Sequence, residues 1–229
     1  KSKSKEKVII EKSKSKEKRL LKRYSKKMKN GLNRTLLVFT KPADIRGTAM
    51  LSWEQKRRDD DQWLYLPAQR RLQRIAKGSK KGYFMGTDFT FEDMEPEDTN
   101  NFRYKILREE SYKASRRSKK FDCWVIQATP ANQRIARQSS YSKRILWVRK
   151  DIFYTVKIDF YNKRGRLIKR QKNLSLKRIK GTVWRHNKSL MSNFIRKHKT
   201  LMGVKRRKVN KRIKSKLFTH RYILSGRHM

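Results

Sequence analysis

The feature that most constrains this chain is a succession of short apolar segments, separated by turn signals at intervals of about 8–12 residues. Residues 153–161 alternate apolar and polar side chains at the period of a strand. Asn30-Gly31 and Gly165 are typical of hairpin turns. No long segment keeps a helical period. We therefore expect about ten or eleven short strands in an antiparallel sandwich or barrel, as one domain spanning residues 1–229.

Several of these segments are apolar at consecutive positions rather than at alternate ones. The clearest are residues 36–39, 63–66 and 145–148. One face of a plain antiparallel sheet normally meets water and carries polar residues, so here both faces need cover. The residues alone favour an ordinary two-sided core, and a bound apolar ligand remains the alternative.

The chain is strongly basic. Lysine and arginine number 65 against 19 aspartates and glutamates, which gives a formal net charge of +46. Such an excess attracts polyanions, among them nucleic acid, anionic lipid headgroups and lipopolysaccharide phosphates. From Phe160 to Met229 there is no acid, yet the basic residues alternate with apolar ones. This pattern is typical of a folded surface and not of a disordered arm.

No enzyme motif is recognisable. The sequence has no Walker loop, nucleophile elbow or zinc-protease motif. The four histidines lie in basic stretches without acids nearby in sequence. Cys123, the only cysteine, stands inside an apolar strand and is interpreted as an inert buried thiol. We expect no catalytic residue and no cofactor.

Two acidic clusters are candidates for binding a cation. Asp59, Asp60 and Asp61 are consecutive, and six acids lie within residues 88–98. The first cluster is better explained as a turn whose carboxylates pair with the surrounding lysines and arginines. The second lacks the spacing and the glycine of an EF-hand. No metal site is predicted.

A combination of motifs runs through the chain. Residues 39–54 read FTKPADIRGTAMLSWE, residues 59–68 read DDDQWLYLPA, and residues 84–94 read FMGTDFTFEDM. In content, order and spacing they resemble the LolA-like family of outer-membrane lipoprotein-sorting proteins. Further matching segments lie at 123–126, 141–143, 146–148 and 218–222. The resemblance covers residues 5–226.

The resemblance implies a mainly β fold, in which a strongly curved antiparallel sheet forms an incomplete barrel with a few short helices at its mouth. The apolar concave face would hold acyl chains. The implied role is that of a periplasmic carrier that helps deliver lipids or lipoproteins to the outer membrane without covalent chemistry. The candidate wall residues of the cavity are Trp53, Trp63, Tyr65, Phe89, Phe91, Trp124 and Trp147.

Partners follow from the same resemblance. They are the acyl chains of lipids or lipoproteins and an inner-membrane transport complex, while anionic membrane surfaces are expected as partners from the charge. The chain departs from the family in its charge and in beginning at or just before the first strand, where the family has a helix. We also expect no membrane span, since no run of about 18 apolar residues occurs, and no signal peptide at its start.

A basic nucleic-acid-binding module is the alternative function. It rests on the charge and on aromatic rings that could stack with bases. Such a module would expose aromatic residues between basic ones on one face. Trp63, Trp124 and Trp147 instead stand among apolar neighbours, as core residues do, so the carrier is favoured and non-specific nucleic-acid binding is a secondary expectation.

Overall fold

Antiparallel strands make up most of the chain in the computed structural model, which describes residues 3–12, 17–56, 58, 60–95, 99–114 and 118–229. Asp59, Glu97 and Asp98, from the two acidic clusters, lie outside the described residues. The strands found within the described ranges are β1 (Lys3–Lys12), β2 (Lys18–Lys27), β3 (Asn33–Lys41), β4 (Ala49–Trp53), β5 (Asp61–Leu66), β6 (Arg71–Arg74), β7 (Phe102–Lys113), β8 (Lys120–Pro130), β9 (Lys143–Arg149), β10 (Tyr154–Tyr161), β11 (Leu167–Lys180), β12 (Val183–Asn193) and β13 (His198–Val209).

The described strands form one 13-stranded sheet in the order β6-β5-β4-β3-β2-β1-β13-β12-β11-β10-β9-β8-β7. The sheet is not closed, since β6 and β7 stand at its two ends. The predicted fold class, mainly β with an incompletely closed antiparallel sheet and few short helices, is confirmed. The described strands outnumber the ten or eleven expected; one reason is that a strand as short as β6, with four residues, shows too little alternation to be recognised.

Helices are short in the described part of the chain. α1 (Gln133–Gln138) begins after Asn132, whose side chain accepts a hydrogen bond from the backbone N–H of Ile135. α2 (His220–Leu224) begins after Thr219, which caps it in the same way through Tyr222. No described helix has the length and apolar character needed to cross a membrane.

The chain divides into two compact units. The first comprises Lys1–Glu11, Lys16–Lys80 and Met202–Met229, and the second comprises Lys12–Ser15 and Lys81–Leu201. The single domain expected over residues 1–229 stays a prediction. Each unit has its own buried core cluster.

The core of the first unit lies on one face of β3, β4 and β5. In the registers of these strands Leu36 pairs with Leu51, and Leu51 pairs with Trp63. The segment that follows β13 packs on this face and contributes Phe218 and Ile223, both fully buried. The opposite face of the same strands is also buried at Leu37, Phe39 and Met50. Two-sided burial therefore follows the consecutive apolar residues in the sequence.

The core of the second unit lies on one face of β8, β9 and β10. Val125 pairs with Trp147 in the register of β8 and β9. Cys123, Val125, Trp147 and Val156 are buried together in this cluster. The other face of these strands carries the candidate site.

Replacement of Phe218 by alanine tests the packing of the first unit. Its ring is fully buried in the core cluster, so the cavity left by Phe218→Ala should lower the free energy of unfolding by about 3–5 kcal/mol. Denaturant titration measures the change. Leu224→Ala, at a side chain that is 52% exposed, is the matched control and should cost about 0.5 kcal/mol or less. Equal losses in the two variants would contradict this packing.

Candidate functional site

A row of four side chains crosses β9, β10, β11 and β12 on one face of the second unit. Arg144 pairs with Phe160, Phe160 with Lys169, and Lys169 with Asn193. Residues directly opposite each other in adjacent strands share a face. We call these four residues the anchor row.

The anchor row holds the segment of residues 84–94, here called the motif loop. Lys169 Nζ donates to Asp93 Oδ2 at 2.5 Å, and Arg144 Nη2 donates to Glu92 Oε1 at 2.9 Å. Both acids come from the FMGTDFTFEDM motif. The motif loop therefore lies against this face of the sheet.

The pair of Lys169 and Asp93 is almost completely enclosed, with side chains 2% and 1% exposed. Tyr141 donates its hydroxyl to the other oxygen of Asp93 at 2.9 Å. Burial raises the pKa of Tyr141 well above its ordinary value, so the phenol stays protonated and remains a donor. A buried charge pair is tolerated when its remaining hydrogen-bonding positions are satisfied, as they are here.

A second attachment of the motif loop is made by Asp88, which is fully buried. Its Oδ2 accepts a hydrogen bond from Thr200 Oγ1 at 2.6 Å and lies 2.6 Å from His198 Nδ1. Its backbone N–H donates to Thr200 Oγ1 at 3.0 Å. Acids in the motif loop thus act as anchors inside the unit. Among the residues that the structure describes, no group of three or more His, Cys, Asp or Glu side chains is arranged to hold a metal ion.

Beyond the anchor row, the same sheet face is apolar and partly open. Ile106 pairs with Ile126, Ile126 with Leu146, and Leu146 with Ile158. Trp124 stands two residues from Ile126 and therefore shares its face. We call this surface the apolar strip; its members are Ile106, Trp124, Ile126, Leu146, Val148, Phe153 and Ile158, of which Leu146 is buried.

The apolar strip is accessible at two large side chains. Ile106 is 60% exposed and Phe153 is 77% exposed. The rings of Phe153 and Trp124 lie 5.6 Å apart, and Lys150 Nζ is 5.6 Å from the centre of the Trp124 ring. A single exposed apolar residue is ordinary, whereas a contiguous set of them indicates a contact surface.

Three of the seven candidate wall residues lie in the first unit beneath its C-terminal segment. Trp53 donates its indole N–H to the Phe218 carbonyl at 3.0 Å and stacks on His220 with ring centres 4.8 Å apart. Trp63 meets His220 edge-on at 4.3 Å, and Tyr65 is buried in the same core cluster. This face is covered by the chain itself.

The other four candidates lie in the second unit, in three different settings. Phe89 is buried in the motif loop, and Phe91 packs edge-on against Phe84 at 5.6 Å. Trp147 lies in the core on the opposite face. Trp124 alone of the four belongs to the apolar strip.

Sequence reasoning missed the two most exposed members of the strip. Ile106 belongs to the edge strand β7, where residues 103–109 are all exposed. The alternation of Tyr104 and Ile106 with basic residues was the available signal. The predicted strand of residues 153–161 includes Phe153, but this residue lies just before β10 with φ +48, so the alternation did not reveal its exposure.

The thiol of Cys123 takes no part in this site. It is buried on the opposite face of β8, in the core cluster. Burial raises its pKa to about 11, so the reactive thiolate is scarce at neutral pH.

A family model described as "-like: Uncharacterized protein" matches residues 31–225. The chain belongs to this uncharacterized family. No curated protein matches it.

Three solved structures are similar to this chain over almost its whole length. A Vibrio parahaemolyticus domain named as an outer membrane lipoprotein-sorting protein is 26% identical, with a TM-score of 0.86 over 97% of this chain and 91% of that one. A DUF1329 family protein from Desulfovibrio piger is 27% identical, with a TM-score of 0.87 over 96% and 91%. A LolA superfamily protein from Nitrosomonas europaea, 21% identical with a TM-score of 0.71 over 96% and 91%, shares the fold. The resemblance to LolA-like proteins is confirmed.

Removal of the buried cation tests the attachment of the motif loop. Lys169→Met leaves Asp93 enclosed without its partner, so it should lower the free energy of unfolding by about 3–5 kcal/mol. It should also increase proteolytic cleavage within residues 84–94. Lys177→Met, at an exposed position of the same strand, is the control and should leave both measurements unchanged. Unchanged cleavage in Lys169→Met would show that the pair does not hold the loop.

The lowered pKa of Asp61 predicts that part of the free energy of unfolding of the first unit is lost in acid. Hydrogen bonds from Arg58, with a further one from Arg74, lower its pKa from 3.8 to about 2. A lowered folded-state pKa contributes stability above the unfolded value, and this contribution is lost as the pH falls from about 4 to 2. Denaturant titrations across this range should show that the free energy of unfolding falls by about 1 kcal/mol. This is less than the full pKa shift would give, because both arginines are exposed to solvent. The same loss in Asp61→Asn would contradict the assignment.

Proposed function

We propose that this chain is a periplasmic carrier that binds acyl chains of lipids or lipoproteins and helps deliver them to the outer membrane. The carrier acts by binding and release, without covalent chemistry and without a cofactor. Its support is the apolar strip on the second unit, together with the likeness to a domain named for outer-membrane lipoprotein sorting.

The apolar strip is the observation that carries the proposal. Its row from Ile106 to Ile158 crosses four neighbouring strands, a span of about 14 Å at the usual spacing of strands. An acyl chain bound across the strip, from Ile106 to the neighbouring rings of Trp124 and Phe153, would cover Ile106 and Phe153, which now meet water. Each methylene removed from water contributes about 0.8 kcal/mol, so contact along the row suffices for binding without polar recognition.

Of the seven wall residues predicted from the sequence, Trp124 belongs to the apolar strip. We therefore centre the binding surface on Trp124 and extend it to Ile106 and Phe153. Trp53, Trp63 and Tyr65 pack under the C-terminal segment of their own unit.

The basic surface suits the approach to a membrane. A lysine or arginine near an anionic bilayer contributes about 1 kcal/mol to binding. Anionic membrane surfaces are therefore proposed as partners, together with an inner-membrane transport complex from which the carrier would receive its cargo.

Nucleic-acid binding is a second candidate, favoured by one arrangement. The exposed ring of Phe153 beside Trp124, with Lys150 over the indole, is also suited to stacking on a base next to a phosphate. Stacking of this kind with phosphate contacts weakens steeply as salt is added, whereas acyl binding does not.

A fluorescent fatty acid measures the proposed activity directly. We expect saturable binding to the purified protein, displacement by phospholipid, and little change in affinity between low and high salt. Phe153→Ser and Ile106→Ser should each weaken binding about ten-fold, since each removes a side chain that the acyl chain would cover.

Leu107→Ser is the matched control for the fatty-acid experiment. Leu107 follows Ile106 in the same strand, is 42% exposed, and lies at the bulge outside the paired register. It should bind the probe like the unmodified protein. If the probe does not bind, and Phe153→Ser weakens binding of short single-stranded DNA instead, the nucleic-acid function is correct and the carrier is not.

A further inference from the structure

The hairpin between β12 and β13 ends in an unusual tip, here called the 194–197 tip. Phe194 is 42% exposed and Ile195 is 68% exposed, although they are consecutive large apolar residues. Arg196 and Lys197 follow directly. Two adjacent apolar side chains held in water are unfavourable unless another surface covers them.

The tip is held in place by its own hydrogen bonds. Asn193 Oδ1 accepts from the backbone N–H groups of Ile195 at 3.2 Å and Arg196 at 3.0 Å. Asn193 Nδ2 donates to the Tyr83 hydroxyl at 2.9 Å. Arg196 Nη1 donates to the Thr87 carbonyl at 3.2 Å. The exposure of Phe194 and Ile195 is therefore built into the turn.

A basic depression lies directly beside the tip. It has a volume of about 380 Å³. Its lining residues are Arg170, Lys172, Ser192, Asn193, Phe194, Lys197, His198 and Lys199. Asp159 pairs with Arg170 through two hydrogen bonds of 2.6 and 2.7 Å. The lining contains four lysines and arginines and no acid, so the depression is basic.

We propose that the 194–197 tip docks the protein on an anionic lipid bilayer. Phe194 and Ile195 enter the interface between headgroups and acyl chains, where large apolar side chains are favoured. Lys172, Lys197 and Lys199 receive the phosphates of the headgroups that surround them. Apolar side chains ringed by cations fit a bilayer surface better than they fit a bare polyanion, which offers nothing to cover an isoleucine.

This docking surface is separate from the apolar strip. The strip would hold a single chain removed from a membrane, whereas the tip would contact the membrane itself. The one does not depend on the other, so the two can be tested independently.

An environment-sensitive fluorophore at position 195 tests the docking. Ile195→Cys provides a single reactive thiol, because Cys123 is buried and its pKa is raised to about 11. Phosphatidylglycerol vesicles should shift the emission of the label to the blue, as expected when it leaves water. Phosphatidylcholine vesicles should give a much smaller shift, and short duplex DNA should give none.

A label at Val183→Cys is the matched control. Val183 is 45% exposed and begins β12, at the other end of the same strand. Its emission should not shift with either kind of vesicle. Equal shifts at positions 183 and 195 would show general adsorption of a basic protein and would overturn the proposal, as would a shift with DNA or no shift at all.

Unlabelled variants measure the same surface by vesicle sedimentation. Phe194→Ser with Ile195→Ser should lower partitioning into phosphatidylglycerol vesicles about ten-fold without a change of charge, and Val183→Ser should have no effect. Lys197→Ala should weaken partitioning about five-fold. Partitioning unchanged by the apolar substitutions would overturn the proposal. Docking retained in Ile106→Ser with Phe153→Ser, while the fatty-acid probe is lost, would separate the two functions.

Discussion

The buried ion pair between Lys169 and Asp93 is the interaction on which the arrangement of the second unit depends. It joins the anchor row to the motif loop, and Tyr141 completes the hydrogen bonding of the carboxylate. An enclosed charge is stable only with its partner in place, so the loop has a single favourable position on the sheet. That position covers one end of the sheet face and leaves the apolar strip open at the other.

Several of the few acids in this basic chain are used in the interior. Glu6, Asp61, Asp88 and Asp159 are buried, and each has a basic side chain as its partner. These acids act as internal anchors, whereas others, such as Glu109 and Asp151, lie at the surface among lysines and arginines. The high net charge is therefore compatible with a well-ordered interior, and it directs the protein toward anionic surfaces. We propose that the 194–197 tip makes the specific contacts with such a surface, while the apolar strip binds a single acyl chain.

The aromatic residues show which features of the candidate site can be predicted from the sequence and which cannot. Trp63 and Tyr65 share a face of β5, as alternation requires, and both pack on the core cluster of the first unit. Alternation does not say what covers that face. The cover is the distant segment around Phe218 and His220, which no local pattern connects to β5. Trp124 and Trp147 sit in paired strands of the second unit and face opposite sides, because the register places Trp147 beside Val125.

The sequence by itself determined the antiparallel β class, the positions of most strands, the absence of a long helix from the expected fold and the likeness to LolA-like proteins. These are consequences of local periodicity, turn residues and motif spacing, which act over a few residues. Tertiary structure decided which apolar face remains open and that the acids of the motif loop are internal anchors. It also decided that Ile106 pairs with Ile126 and that Phe153 lies beside Trp124. Those outcomes depend on strand register and on pairings between residues far apart in the chain, and a pattern of neighbouring residues contains neither.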